Sequence, residues 1–343
     1  MILDDDPDGD WTSAGLFRCA PDVYRIPLPL PQDGLRAVNV YAVPDGDGWT
    51  LIDSGWALAE SRELLAAALA QLGAGLGDVR RFLVTHIHRD HYTQAVTLRR
   101  EFGSRVAVGR GEQVGLEEVN RSARDPFRAH RTRLLRAGAA ALVERIEQRE
   151  MDAGDLSVWE MPDEWIEDGA EIAVGEQRLL TAVETPGHTR GHLVFADDAA
   201  GLLFAGDHVL PRITPSIGFE PNPSVSPLTD FLTSLQLIRS RKDAVLLPAH
   251  GPIGMRVHER VDALLEHHGD RLDATLAAVR EGRSTGLAVA EALPWTRHRR
   301  SLADMDDFNA MLAVMETLAH LDVLVERGAV SITLQDGVAN YTS

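Results

Sequence analysis

The stretch Thr85-His86-Ile87-His88-Arg89-Asp90-His91-Tyr92 follows directly on the apolar run Phe82-Leu83-Val84. Three imidazoles and a carboxylate fall where an extended segment ends, and such a density of nitrogen and oxygen donors suits a divalent metal such as Zn²⁺. At a strand end or tight turn His86 and His88 point the same way, because side chains alternate with period two. Asp90 and His91 fall past the bend and are free to aim at a second point nearby. One short segment therefore has donors for two metal ions. The alternative, a run of surface histidines in a polar loop, is weaker here because so many polar groups beside a core need a compensating partner.

Two ions need more donors, and the chain supplies them three times at the same kind of place. Thr185-Pro186-Gly187-His188-Thr189 follows the apolar run Leu179 to Val183, Phe204-Ala205-Gly206-Asp207-His208 ends the run Leu202-Leu203-Phe204, and Leu246-Leu247-Pro248-Ala249-His250-Gly251 closes another. Each sets a His or Asp at the carboxyl end of a short hydrophobic strand, beside a Gly or Pro that forces a turn.

The elements that must position these turns are legible as an alternation of strands and helices. Strands are predicted at Val23 to Leu28, Ala37 to Val43 and Trp49 to Ile52, with Asp45-Gly46-Asp47-Gly48 joining the last two as a hairpin. A helix is predicted from Ala59 to Leu72, closed by Gly73, followed by strands 81–84 and 106–108. Strands resume at Ala170 to Val174, Arg178 to Val183, His192 to Ala196, Leu202 to Ala205 and Ala244 to Leu247, with a helix from Leu228 to Ser240. This pattern argues for layered α/β sheets with the site built from turns at strand ends. The proline-punctuated segment Pro211 to Pro227 must run as an irregular loop beside Asp207, and places Arg212, Thr214 and Ser216 as candidates to face substrate.

Two segments depart from the alternation. Residues 111–162 form a helical insertion, with helical patterning from Arg131 to Glu150 and an arginine run of Arg121, Arg124, Arg128, Arg131, Arg133 and Arg136 opposed only by Asp125. One reading is a solvated helix face. The other is a lid, with Arg124 and Arg128 gripping an anionic substrate part such as a CoA phosphate or nucleotide, since Arg suits bidentate phosphate contacts. Beyond residue 255, helices are predicted at Val257 to Glu281, Leu287 to Leu293 and Asp307 to Arg327, with Gly328 as a C-cap, then a hairpin of Val330 to Leu334 and Val338 to Tyr341. His258, His267, His268, His298 and His320 lack partners at metal spacing and are read as solvated or core residues.

The motifs Leu51-Ile52-Asp53-Ser54-Gly55, His86 to His91, Pro186-Gly187-His188, Gly206-Asp207 and Pro248-Ala249-His250-Gly251, in this order, resemble the metallo-β-lactamase superfamily. Within it the chain looks like the glyoxalase II-like and LACTB2-like hydrolases, over roughly residues 20 to 255. The resemblance implies an α/β fold of four layers, αββα, as a catalytic domain over 1–255, and a small, mainly helical, winged-helix-like C-terminal domain over 256–343. It implies that His86, His88 and His188 hold one metal, that Asp90, His91 and His250 hold the other, and that Asp207 bridges them. Asp53 resembles the carboxylate that takes the far N–H of a ligand imidazole, although a strand-end Asp capping a turn reads the same way. No Cys is among these positions, as in the dinuclear hydrolases rather than the antibiotic-degrading enzymes whose second site uses a thiolate. Where many relatives have a small residue or a Gly pair after the cluster, this chain reads Tyr92-Thr93-Gln94, so that Tyr92 either lines the pocket against substrate or simply packs.

Composition bounds the partners. The 343 residues include 52 acidic and 34 basic ones, a formal charge of −18, which argues against nucleic acid or an anionic membrane. Residues 256–343 hold 9 Arg and no Lys against 14 Asp and Glu, so their role is read as packing or homodimerisation rather than duplex binding. The single Cys19 fits a reducing cytosol and is read as inert. The acidic start, Met1 to Trp11, is expected to be disordered over about ten residues and carries no signal-peptide pattern. No stretch approaches the roughly 20 apolar residues of a membrane span. A soluble, cytoplasmic protein is the expectation.

The chemistry follows from the donors. On the ligand set that the resemblance implies, two Zn²⁺ per chain, bridged by Asp207 and a shared water, would bring the pKa of that water toward neutrality and supply hydroxide for attack. The ions also polarise a carbonyl or phosphoryl oxygen and stabilise the oxyanion that forms. Asp90, with a free oxygen, orients the hydroxide or shuttles its proton, so Asp90 and Asp207 are the candidate catalytic carboxylates. The first substrate reading is a small anionic thioester or related ester, of the acyl-CoA or glutathione type. Phosphodiester or RNA cleavage of the LACTB2-like type is the alternative, opposed by the acidic charge and the lack of interleaved aromatics. An Fe-dependent redox site of the persulfide dioxygenase or flavodiiron type is a third, since His and Asp donors alone leave Fe or Mn open beside Zn. A metal-free binding module ranks last.

Overall fold

A computed structural model of the chain describes residues 2–31, 34–122, 125, 127–148, 155–176, 178–296 and 299–343. The first half carries β1 (Leu3–Asp4), β2 (Phe17–Ala20), β3 (Val23–Pro29), β4 (Ala37–Asp45), β5 (Gly48–Ile52), α1 (Ala59–Gln71), β6 (Val79–Val84), α2 (Arg89–Phe102) and β7 (Arg105–Gly109). The insertion holds α3 (Gln113–Arg121), α4 (Arg128–Arg136) and α5 (Ala140–Glu147), and leads to β8 (Glu164–Ile166). Then come β9 (Glu171–Val174), β10 (Arg178–Glu184), β11 (Leu193–Asp197), β12 (Leu202–Gly206), α6 (Pro227–Ser240) and β13 (Val245–Pro248). The C-terminal part consists of α7 (Val257–Arg280), α8 (Gly286–Ala292), α9 (Asp307–Glu326), β14 (Ser331–Gln335) and β15 (Val338–Thr342).

Period-two alternation of apolar residues sorts the strands into layers. In β5 and β6, Leu51, Phe82 and Val84 turn toward Leu65, Leu69, Ala95 and Val96 of α1 and α2. Their neighbours Ile52 and Leu83 turn the other way, against Leu180, Phe195, Phe204 and Leu247 of the second sheet. That second sheet alternates in turn: Val194, Ala196, Leu203, Ala205 and Leu246 face α6 and α7. The result is helix, sheet, sheet, helix, as the motif resemblance implied. The first sheet runs β1 through β8 in sequential order, parallel from β5 to β8, and the second runs β13-β12-β11-β10-β9 with β12 and β13 parallel.

The N-terminus corrects the expectation of disorder. Leu3–Asp4 pairs in parallel with β2, and Asp5 closes a bidentate ion pair on Arg25 at 2.5 and 2.8 Å. Arg25 is 1% exposed in β3, and a buried guanidinium requires a counter-ion; the acidic leader supplies it. Helical patterning from Arg131 to Glu150 is also not one helix: α4 and α5 are separated around Gly138, where the Ala137 carbonyl accepts from Leu287 N of α8 at 2.9 Å. A tertiary bond takes the place of the helical one.

Helix order and the closing hairpin in the C-terminal part are as predicted. The apolar core, however, runs through the boundary expected at 255/256: Val194 and Leu203 of the second sheet, Phe231 of α6, Leu264 of α7 and Val314 and Leu321 of α9 share one cluster. Helix α9 also corrects the statement about membrane-length stretches. It is 20 residues long, and an 18-residue stretch of it has a mean hydropathy of 1.4, yet 67% of that stretch is buried inside the protein. It is apolar on most sides because α4 to α8 surround it.

Candidate metal centre

Four turns at strand carboxyl ends converge on one point. The segment after β6 carries His86 and His88 and opens α2 with Asp90 and His91; His188 follows β10, Asp207 follows β12 and His250 follows β13. Backbone bonds tie these ends across the two sheets: Leu193 N donates to Thr85 O at 2.8 Å and Asn39 N to Ala249 O at 2.7 Å. Gly206 is required where it stands, because a side-chain carbon there would lie 2.7 Å from both His192 Nε2 and Thr85 Oγ1.

The structure brings all seven predicted donors together in two groups. Ligand atoms of His86, His88, His188 and Asp207 lie within 4.8 Å of one another, as do those of Asp90, His91 and His250. In the first group, His88 Nδ1 is 3.0 Å from both His86 Nε2 and His188 Nε2. In the second, Asp90 Oδ2 is 3.5 Å from His91 Nε2 and 3.4 Å from His250 Nε2. Asp207 faces both, with Oδ2 3.4 Å from His188 Nε2 and Oδ1 3.3 Å from His250 Nε2.

The far nitrogen of four of these rings is anchored. His91 Nδ1 donates to Asp53 Oδ2 at 2.9 Å, His188 Nδ1 to Ser216 O at 2.8 Å and His250 Nδ1 to Ala37 O at 2.7 Å. Thr85 Oγ1 donates to Asp53 and so accepts from His86 Nδ1 at 3.0 Å. Asp53 holds φ at +61°, a left-handed backbone, and also accepts from Thr85 N at 2.8 Å. Anchoring Nδ1 leaves Nε2 with its lone pair directed inward, which is the tautomer a metal needs.

The donor set fits a divalent cation on the geometry of its inner atoms. His91 Nε2, His250 Nε2 and Asp207 Oδ1 are buried with no hydrogen-bond partner, a costly state unless a cation receives them. Burial pushes the His86 and His88 imidazoles down, His88 to about 3, and the neighbouring histidines push in the same direction. Burial alone would raise the Asp90 carboxyl, but His91 and His250 outweigh it and hold it below the ordinary range. Burial would lower His91 and His250 too, but Asp53, Asp90 and Asp207 outweigh it and raise His91 to about 10, and Asp207 and Asp90 raise His250, so these two imidazoles hold a proton that a metal ion would displace in order to be ligated.

The predicted substrate contacts fare differently. Tyr92 is buried and does not line a pocket: its hydroxyl donates to Glu160 O at 2.5 Å and its ring stacks on Trp159. One helical step of about 100° past His91 turns it from the centre into the layer beneath the insertion. Arg124 lies outside the described residues. Arg128 is exposed at the start of α4. Arg212 is exposed and lines a cleft of about 320 Å³ with Pro7, Pro211, Ile253, Met255 and Glu259. Three other arginines of the run are engaged: Arg121 with Glu118, Arg131 with Asp125 and Glu147, and Arg133 with Gly218 O. Asp125 is therefore not the sole acidic partner. Cys19 sits away from the cluster, and burial pushes its thiol up to about 12.

Not legible in the sequence were residues that hold the candidate donors in place rather than join them. His192 accepts from Asp207 N at 3.1 Å and pairs with Thr185 Oγ1 at 2.9 Å. Asn39 donates to Pro248 O and Gly251 O, and Tyr41 to Pro248 O, which fixes the His250 turn. Glu112 and Glu220 are buried beside the His188 turn. A polar residue in an apolar run, such as Asn39 in Val38-Asn39-Val40, was the available signal.

Comparison with known proteins agrees with the geometry. A family model described as metallo-beta-lactamase superfamily matches residues 33–250. A probable metallo-hydrolase of Bacillus subtilis is 25% identical over 316 residues, covering 90% of this chain and 94% of the relative. An atrochrysone carboxyl ACP thioesterase of Paecilomyces divaricatus is 25% identical over 312 residues, covering 90% of this chain and 80% of the relative. A solved beta-lactamase domain protein from Burkholderia ambifaria superposes with a TM-score of 0.82 at 27% identity, covering 99% of this chain and 98% of that one.

Proposed function

The chain belongs to the metallo-beta-lactamase superfamily and is a metal-dependent hydrolase, and from that premise we propose that it holds two Zn²⁺ ions and cleaves thioesters. The observation that carries the reading is the pair of donor groups with Asp207 turned to both, one carboxylate oxygen to each. His86, His88 and His188 are assigned to one ion, Asp90, His91 and His250 to the other. Ions held there would supply Lewis acidity toward a carbonyl and make a water nucleophilic near neutral pH. The protein's own part is to hold and exclude. Asp53, Thr85, Ser216 O and Ala37 O keep the imidazoles turned inward, and Asp90, kept ionised by its neighbours, offers a free oxygen that orients the attacking water and accepts its proton.

A thioester substrate is supported by the relative named as an ACP thioesterase, which aligns along 90% of this chain. An acyl group carried on a phosphopantetheine arm, as in CoA or an acyl carrier protein, would also bring an anionic part, for which the exposed Arg128 and Arg212 are the candidate contacts. The test is elemental analysis of chelator-free protein followed by a side-by-side assay of acyl-CoA, S-lactoylglutathione, bis-p-nitrophenyl phosphate and short RNA. About two Zn per chain and thioester turnover that chelator abolishes are expected. Two Fe per chain, or phosphodiester turnover with inert thioesters, would overturn the assignment.

A further inference from the structure

Two glutamates meet beneath the His188 turn. Glu112, fully buried just before α3, accepts from Thr189 Oγ1, and the backbone amides of Gly191 and Ile87 favour its ionised form. Ile87 lies between His86 and His88, and Thr189 adjoins His188, so one carboxylate addresses both ligand-bearing segments. Glu220, 5% exposed, accepts from Arg190 N at 3.1 Å. It sits four residues beyond Ser216, the residue whose carbonyl anchors His188 Nδ1.

The remaining oxygens of the two glutamates face a common space. Glu112 Oε2 and Glu220 Oε1 are buried without a hydrogen-bond partner, and they lie 3.6 and 3.4 Å from the single point that a side-chain carbon on Gly115 would occupy. The approach depends on bare backbone. A side-chain carbon on Gly191 would lie 2.1 Å from Glu112 N, and one on Gly111 would lie 2.7 Å from Gly191 Cα. Two carboxylates buried side by side cannot both remain charged. Burial pushes both upward, and the Glu112 charge raises Glu220 further. The charged side chain facing them is Arg190, which opposes the rise in Glu220 and whose Nη1 is engaged by Asn222 O at 3.3 Å.

We propose that Glu112 and Glu220 form a carboxylic acid and carboxylate pair sharing one proton, which locks the His188 turn and the Thr85 to His88 segment together as a positioning device for three metal ligands. The inference rests on the metal-binding reading of the site, and its two tests separate the failures. The first uses Co²⁺ with the full chain, read by competition titration and the ligand-field absorption spectrum. Glu112→Ala is expected to weaken Co²⁺ binding about 10- to 100-fold and alter the spectrum. Glu112→Gln restores both, because its amide oxygen still accepts from Thr189 while its N–H₂ faces Glu220. Unchanged binding and spectrum in Glu112→Ala, or a Glu112→Gln that behaves like it, overturns the proposal.

The second test needs no metal. A proton held by the folded pair raises the folded-state pKa above that of the unfolded chain, so its stabilisation is full below the ordinary glutamate range and is lost as pH rises. Glu220→Gln, which cannot lose that proton, should match wild type in Tm near about pH 5 and gain on it progressively toward about pH 9. A Glu220→Gln variant that lowers Tm equally at every pH overturns the shared proton. Wild-type protein that binds no Co²⁺ overturns the metal reading instead, while the thermal series still decides the pair.

Discussion

At the scale of single residues, the His and Asp positions proposed to ligate are distinguished from those that support by which nitrogen or oxygen is left over. His91 and His250 each spend Nδ1 on an acceptor and keep a bare Nε2 facing the centre. Asp53 is the clearest support: strained into a left-handed backbone, it fixes both His91 and the start of the His86 segment. Asp53→Ala is therefore expected to lower metal affinity about 10- to 100-fold, measured by chelator competition, with the far-UV spectrum unchanged. Tyr92 is the counter-case. Because its hydroxyl is committed to Glu160 O, Tyr92→Phe should cost about 1 kcal/mol of stability and leave KM for every substrate at the wild-type value; a raised KM would return it to the pocket. Asp90 and Asp207 were legible as candidates from their turns, whereas the sequence left Tyr92 between lining the pocket and packing, because helix phase, not proximity in sequence, decides which way a side chain points.

At the scale of elements, the site is made by strand ends, and what holds the ends is a chain of buried polar bonds reaching back to the N-terminus. Asp5 neutralises Arg25, Arg25 Nη1 donates to Asn39 Oδ1 at 2.9 Å, and Asn39 holds the carbonyls on either side of His250. The acidic leader that composition marked as disordered is thus the first link to a ligand. Asp5→Ala strands a guanidinium that is 1% exposed and should destabilise the protein by ~3–5 kcal/mol, read by urea unfolding. No loss in that experiment would mean the ion pair is not formed in solution. The insertion follows the same logic in the other direction: Arg131 and Arg133 stitch α4 to its neighbours and to the loop at Gly218, so these charges serve packing.

At the scale of the whole molecule, the C-terminal helices complete the fourth layer. Leu321 of α9 is fully buried in the cluster that also contains Leu203 and Phe231. Truncating it to Ala should cost ~2–5 kcal/mol. Because the core is shared, calorimetry should show one transition that moves as a unit; two separate transitions, with only the smaller shifted, would mean that residues 256–343 fold independently. The same burial explains why α9 is apolar enough to resemble a membrane span while serving as the hub of a bundle.

Much of this protein was determined by local patterning alone. Alternating apolar residues set the strands and their two faces, Gly and Pro set the turns, and the spacing of His86, His88, Asp90 and His91 announced a metal centre, because these signals are carried by side-chain period and backbone geometry within a few residues. Tertiary structure alone decided the rest: that Asp207 addresses both groups, that Asp5 belongs to the site's foundation, that Ala137 ends a helix and that Glu112 and Glu220 meet. Each of these depends on a partner distant in sequence, and burial energies act only once folding has removed the water between them.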